Sequence, residues 1–443
     1  MQLFTQIAQL ILCLSILIVL HEGGHFLAAK YFKTRVEKFY LFFDPWFSIV
    51  KKKIGETEYG IGWLPLGGYV KITGMIDESM DTEQMKGEAQ PWEFRAKPAW
   101  QRLIIMLAGI IVNVILAIVI YAGVLFVWGE VKIDSAKVID GYAFSKPAQA
   151  MGFRNGDNII AINGEPVTDV NKLPMKILLG DSATVVRDGK KLSFPIADAG
   201  KEELMNQKER EIEPLVAPRS LAIADSIFPQ GTASKVLQKG DVIASINNQP
   251  IQYQDEMNAV FNQSKKDTVN IGIVRNGKEI SAKLYIPDSA IIGISNSHHS
   301  NIKKAVYIQN YNLLQAVGAA PRTAWNALTD QVGTFKLIKI GVLKQVSGPL
   351  RLYKVFSPTW DGERFWNFTA MFSIWLAFLN LLPIPGLDGG HALFCIGEMI
   401  TGRKLSDKIM EKIQMVGIVI LLALMVLIFG NDIWHIIENA MHK

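Results

Sequence analysis

Two imidazoles and a carboxylate stand together at His21-Glu22-Gly23-Gly24-His25, closing an apolar run that starts near Leu3 and carries no Asp, Glu, Lys or Arg. An ionisable side chain in or beside hydrocarbon costs roughly 2.5–3.5 kcal/mol on insertion scales, so three together need a chemical reason, and a shared metal ion supplies one. On a helix, positions i and i+4 lie on nearly one face, so His21 and His25 can both offer a ring nitrogen to one cation, with Glu22 beside them. In the HExxH pattern the two histidines hold zinc and the glutamate is general base toward the attacking water, which the ion acidifies toward a pKa of about 7. HExxH alone recurs by chance; the apolar lead-in sets this copy apart.

Catalytic zinc usually has three protein ligands, so the pentapeptide needs one more. At 1.5 Å per residue, His21 lies roughly 27 Å along a helix begun at Leu3, near one edge of the bilayer core. A later apolar run that crosses in the same direction ends in Asn380-Leu381-Leu382-Pro383-Ile384-Pro385-Gly386-Leu387-Asp388-Gly389, so Asp388 is expected at the same depth. Two prolines and two glycines cannot continue a regular helix, and irregular backbone at that depth is tolerated only when buried in protein or lining a cavity. Glu37 and Asp44 are rival third ligands, and His391 is read as a neighbouring polar group. A His2Asp set with an open position suits zinc best, with iron and cobalt as alternatives.

The elements that must position these groups are membrane helices. The chain has 443 residues, 49% of them hydrophobic, and four runs approach or exceed the roughly 20 residues that span a bilayer: 3 to 20, 103 to 128, 365 to 384 and 413 to 430. The first has no basic n-region and ends in His-Glu rather than a small-residue cleavage site, so it is read as a retained span rather than a signal peptide. Cys13 and Cys395 form no disulfide framework. The net charge of +5 is modest, and no basic stripe interleaved with aromatics indicates nucleic acid. About a dozen Lys and Arg, including Lys51-Lys52-Lys53, lie between the first two runs, which by the positive-inside rule puts residues 30 to 102 in the cytoplasm and residues 129 to 364 outside.

Gly156-Asp157-Asn158-Ile159-Ile160-Ala161-Ile162-Asn163 recurs as Gly240-Asp241-Val242-Ile243-Ala244-Ser245-Ile246-Asn247, a turn followed by an alternating strand, which matches the core of PDZ domains. The stretch from Gly60 to Ile72 reads as a β-segment with a glycine turn, Pro65 suiting an edge strand that could take an extended substrate by strand addition or could simply pack as a hairpin. Residues 311 to 346 place Leu313, Leu314, Val317, Trp325, Leu328, Val332, Phe335 and Ile338 at helical spacing, an expected interfacial helix broken at Ser347-Gly348-Pro349.

The paired motifs, over essentially the whole chain, resemble the site-2 proteases, intramembrane zinc metalloproteases, and the two outer repeats resemble their bacterial sigma-E-regulating branch. The resemblance implies His21, His25 and Asp388 as zinc ligands, Glu22 as catalytic acid/base, and Asn380, Gly67, Gly68 and Tyr69 as substrate-binding residues. It departs at Gly23, where many relatives carry a larger apolar residue, and at Ile110, which replaces a proline in a second-helix motif that keeps Gly109 and Asn113. The expected fold is a polytopic α-helical membrane protein of four transmembrane helices with a membrane-associated β-hairpin and two extracytoplasmic PDZ-like α+β domains. The expected organisation is a first transmembrane helix over 1–32, a cytoplasmic β-segment over 33–100, a second helix over 101–129, PDZ-like domains over 130–215 and 216–300, an interfacial helix and linker over 301–364, a third helix with the Asp388 motif over 365–390, and a cytoplasmic segment with the fourth helix over 391–443.

The implied activity is zinc endoproteolysis of single-pass membrane proteins near the cytoplasmic face of a bacterial inner membrane, such as a trimmed anti-sigma factor in an envelope-stress response or a leftover signal peptide. Membrane lipid is the surroundings, and the PDZ-like domains either bind a peptide ligand or act as a size filter. The alternative from another class is a non-catalytic scaffold with structural zinc. Glu22 separates the two, because a structural site closes with four ligands and needs no base.

Overall fold

The computed structural model describes residues 2–65, 67–75, 87–206, 214–295, 305–334 and 349–441 and divides into two units. In the first, the four apolar runs are helical over most of their length, the third only as far as Leu381. They lie in α1 (Gln2–Tyr31), α2 (Ala99–Val127), α4 (Gly362–Leu381) and α6 (Asp407–Met441), with α3 (Leu313–Thr334) and α5 (Asp388–Thr401) completing the helices of this unit. By length and composition α1 and α2 could each cross a membrane. Their outer faces are large and apolar: Leu3, Phe4, Ile7, Ile11 and Leu12 on α1, and Ile104, Ile111, Ile115, Val119 and Phe126 on α2, are exposed. A contiguous exposed apolar face of this kind is rare on a protein surrounded by water and belongs against lipid. α2 runs unbroken through Ile110, where no proline removes a hydrogen bond.

The expected β-hairpin is a four-stranded sheet. β1 (Val36–Leu41), β2 (Phe43–Ile54), β3 (Thr57–Leu64) and β4 (Tyr69–Ile72) lie in the order β2-β3-β1-β4. β2 and β3 pair as the hairpin, but the second half of the Gly60–Ile72 stretch leaves it: β1 separates β3 from β4, running parallel to the first and antiparallel to the second. Pro65 therefore sits in the turn after β3 rather than in a strand. β4 is one edge of the sheet. Val36, Val70 and Ile72 pack with Ala29 of α1 and Ile105 and Met106 of α2 in one buried cluster, which fixes the sheet against these two helices.

α5 is held to the beginning of α2 by a charge-assisted fork. Arg102, buried, donates through Nη2 to both carboxylate oxygens of Glu398 at 2.6 Å and through Nε to the Lys97 carbonyl at 3.0 Å. α3 is helical where the interfacial helix was expected, and it turns its small residues inward. Leu313, Leu314, Val317 and Trp325 are exposed, while Ala316, Ala320 and Ala324 are buried, the last two packing with Ile120, Tyr121 and Val124 of α2 and Ala370 of α4. Small side chains let backbones approach where hydrocarbon gives large ones no reason to hide. Phe335, Ile338, Ser347 and Gly348, also named in the sequence reading, lie outside the described residues.

The second unit contains two copies of one fold. Strands Asn158–Ile162, Glu165–Pro166, Ser182–Arg187 and Lys190–Pro195 form one sheet, and Val242–Ile246, Gln249–Pro250, Thr268–Arg275 and Lys278–Tyr285 form the other, each with the second and last strands at its edges and a bulge in the first strand. Each copy has its own buried core. A second repeated feature went unread in the sequence: Val186-Arg187-Asp188-Gly189-Lys190 and Val274-Arg275-Asn276-Gly277-Lys278 are matching hairpin turns whose central residues have positive φ. Each Arg forks onto the Asp of its copy's Gly-Asp turn, Arg187 onto Asp157 at 2.7 Å for both bonds and Arg275 onto Asp241 at 2.8 and 2.7 Å.

The Arg275 guanidinium, helped by the Gln238 backbone N–H, holds the Asp241 carboxyl below the usual carboxylate range, although burial opposes this. A carboxyl depressed in the folded state stabilises above its unfolded pKa of about 3.9, and that contribution is lost as pH falls through the folded value. Asp241→Asn should therefore increase hydrogen exchange in the second repeat at pH 7, and the difference from wild type should shrink steadily below about pH 4. A difference independent of pH would mean the ion pair is not its source.

Candidate active site

His21 and His25 are buried on one face near the end of α1, one helical turn apart. Asp388 reaches them from the first turn of α5, after the irregular segment from Leu382 to Leu387. That segment can fold back over the helix start because Gly389 follows: a Cβ there would lie 2.4 Å from the Leu381 and Leu382 carbonyl oxygens. Three ligand atoms converge. His21 Nε2 and His25 Nε2 are 3.4 Å apart, and Asp388 Oδ2 lies 3.3 Å from the first and 3.2 Å from the second.

Tetrahedral zinc with ligand bonds of about 2.0–2.1 Å separates its ligands by about 3.3–3.4 Å, the bond length times the edge factor of a tetrahedron. The observed triangle therefore matches one face of such a site. Asp388 Oδ2 points into the triangle, buried and without a hydrogen-bond partner. A buried carboxylate oxygen facing two ring nitrogens without a donor is expensive unless a cation satisfies all three. Among the described residues, this is the cluster of His, Cys, Asp and Glu able to hold a metal, and it offers three ligands, leaving a fourth position for water or substrate.

Peptidase family M50 matches residues 9–424 of the chain. The chain belongs to that family. M50 peptidases are zinc-dependent membrane proteases, so this chain is a zinc metallopeptidase and an integral membrane protein. It is similar to a putative zinc metalloprotease of Xylella fastidiosa, 30% identical over 447 residues covering 96% of this chain and 97% of that protein. It is likewise similar to the regulator of sigma-E protease RseP of Escherichia coli, 30% identical over 450 residues, 96% of this chain and 98% of the relative. A putative zinc metalloprotease of Thermotoga maritima is 25% identical over 517 residues, covering 96% and 98%.

The M50 site is built against α2. Gly109 lets that helix lie on the imidazoles, since a Cβ on it would sit 2.3 Å from His25 Nε2 and 2.8 Å from His21 Cε1. Gly24 is the reciprocal contact, its added Cβ falling 2.6 Å from the Ala108 carbonyl oxygen. At Gly23 an added Cβ would meet nothing within 4 Å, so the sequence departure there leaves the site's packing unchanged. His25 Nδ1–H donates to the Ile105 carbonyl at 2.8 Å, which leaves the Nε2 lone pair facing the triangle.

The remaining sequence candidates fall at graded distances. Glu22 stands beside the triangle, and the Val70 backbone N–H of edge strand β4 donates to its carboxylate. Asn380 Nδ2 lies 3.2 Å from His21 Nε2, inside the site. Gly68 packs against α1, its Cβ position 2.5 Å from Ile18 Cγ2, and Gly67 lies against the Phe43 ring. The Tyr69 ring stacks on Tyr40 with centroids 5.2 Å apart, and its hydroxyl donates to Asp44 Oδ1 at 3.0 Å, so this side chain braces the sheet. The rival ligands are engaged elsewhere: Glu37 pairs with Lys71 at 3.5 Å, and Asp44 also accepts from Ser48 at 2.9 Å. His391 hydrogen-bonds to Gln414 of α6. The sequence reading missed the Val70 N–H and the Ile105 carbonyl, because backbone groups leave no signature in residue types.

Proposed function

We propose that this M50 peptidase hydrolyses a peptide bond of single-pass membrane proteins within or beside the bilayer, near its cytoplasmic face. His21, His25 and Asp388 hold the zinc, and the open fourth position supports catalysis over a structural role. The observation carrying this reading is the His21–His25–Asp388 triangle with Glu22 next to it. Bound there, zinc supplies Lewis acidity for the scissile carbonyl and lowers the pKa of the attacking water. Glu22 takes the water's proton and passes it to the leaving nitrogen. The Val70 N–H holds the Glu22 carboxylate in place, and Asn380 is positioned to hold the substrate backbone.

A transmembrane helix exposes no peptide bond until it unwinds, and an unwound segment needs partners for its backbone groups. The β4 edge, adjoining Glu22, suits that need by strand addition, with Gly67 and Gly68 admitting the chain to it. Four spans, with α4 and α6 joining α1 and α2, put residues 30 to 102 in the cytoplasm and the paired repeats outside, in the periplasm of a bacterial inner membrane. The repeats are PDZ-like. The cleft of about 400 Å³ lined by Asp140, Arg154, Asp157, Arg187, Arg219 and Tyr253 has most of its charge neutralised internally, Arg187 by Asp157 and Arg219 by Asp255 and Glu256. That favours a size filter admitting substrates already trimmed outside over capture of a peptide. By likeness to the sigma-E regulator, the substrates are a trimmed anti-sigma factor and remnant signal peptides.

The test is metal removal. In proteoliposomes holding the full chain and a tagged single-pass substrate, stripping zinc with a membrane-permeant chelator should stop cleavage, and added zinc should restore it. Unchanged cleavage by protein verified as metal-free would end the proposal.

A further inference from the structure

The metal-facing nitrogen of His21 is Nε2, so Nδ1 must carry the ring proton and needs an acceptor. The group facing Nδ1 at 3.0 Å is the amide of Asn113, which is fully buried in α2. As oriented, the amide presents Nδ2–H to a nitrogen that must itself be a donor, while Asn113 Oδ1 is buried with no partner. Oxygen and nitrogen of an Asn amide occupy nearly the same shape, and rotation by about 180° exchanges them without repacking. The exchange gives the unmet acceptor a donor in Nδ1–H and removes the donor–donor conflict at the imidazole.

The backbone is placed to support this. Ser373 Oγ of α4, also fully buried, donates to the Asn113 carbonyl at 2.7 Å, tying the residue's main chain to the neighbouring helix. Asn113 stands one helical turn beyond Gly109, where α2 touches the imidazoles. The two histidines thus differ in support. His25 is oriented by a backbone carbonyl, which no substitution removes, whereas His21 depends on a side chain.

We propose that Asn113 is a positioning residue which accepts the His21 Nδ1–H through Oδ1, fixing the tautomer that presents Nε2 to zinc. The proposal rests on the ligand role of His21 argued above. Its test is zinc affinity of the full chain in detergent by chelator competition, with the cobalt-substituted absorption spectrum as a second readout independent of turnover. Asn113→Leu, close in size but unable to accept, should weaken zinc binding about 10- to 100-fold, the usual effect of losing such an outer partner. Asn113→Asp, always an acceptor, should bind zinc within about threefold of wild type or more tightly and keep the cobalt spectrum.

A packing role predicts the reverse order, because a buried carboxylate is harder to accommodate than a leucine. Wild-type zinc binding in the Asn113→Leu protein, or a loss of about tenfold or more in the Asn113→Asp protein, overturns the assignment. Should the leucine variant fail to fold, the aspartate variant decides alone. His21→Ala separates this from the parent reading. If wild type itself binds no zinc that His21→Ala loses, the ligand set fails; if it does and Asn113→Leu changes nothing, only the present proposal fails.

Discussion

Glu22→Gln should reduce peptide-bond cleavage by about 10²- to 10⁴-fold, the range by which positioned general acid–base groups accelerate reactions, while leaving zinc content unchanged. Glutamine preserves the length and shape of the side chain and can still meet the Val70 N–H through its amide oxygen. It cannot take a proton from water or return one to the leaving amine. Glu22 is not part of the ligand triangle, so metal binding should survive its neutralisation. The measurement is single-turnover cleavage of a tagged single-pass substrate alongside zinc analysis of the same preparation. Cleavage at wild-type rate would refute the base assignment, and loss of zinc would make Glu22 part of the binding site instead.

Gly109→Ala should weaken zinc binding and suppress activity with it. On an exposed helical surface this substitution stabilises by about 1 kcal/mol, because glycine is the more costly residue to order in a helix. Here the added Cβ would stand 2.3 Å from His25 Nε2 and 2.9 Å from His21 Nδ1, closer than a Cβ carbon in a folded protein approaches another heavy atom. Either α2 retreats or the imidazoles rotate out of the triangle. Overpacking of this kind costs about 1–3 kcal/mol, which exceeds the helix gain and, expressed on the metal, corresponds to about 5- to 150-fold in affinity. Gly123→Ala on the same helix is the control, since a Cβ there meets nothing within 4 Å and should leave zinc binding unchanged. Equal zinc affinity in the two variants would show that α2 does not press on the site.

How much of this was legible beforehand depended on whether a feature is local. The two histidines and Glu22 could be read from spacing, because i and i+4 share a helical face in any surroundings. The apolar runs could be read because hydrocarbon admits few other residues over that length. The β-region was read less well. Only the stretch from Gly60 to Ile72 was read as strand; β1 and β2 went unread, and the insertion of β1 between β3 and β4 is a long-range pairing that alternation along one strand does not encode. For α3, large apolar residues at helical spacing gave the helix but not its inner face, which is made of alanines, because in lipid close backbone approach rather than hydrophobicity chooses the contact.

The sequence by itself determined the residue set at the end of α1, the apolar helices and the duplicated fold, since each is written within a short stretch of chain. The sequence already pointed to Asp388 over Glu37 and Asp44, and the tertiary structure brings it to the triangle; only the tertiary structure decided that Val70 offers its N–H to Glu22 and that Asn113 faces His21. These depend on α2, α5 and β4 arriving at one point. That convergence is set by glycine-mediated helix contact, a buried Arg102–Glu398 pair and the packing of a small sheet, each a relation between segments remote in the chain.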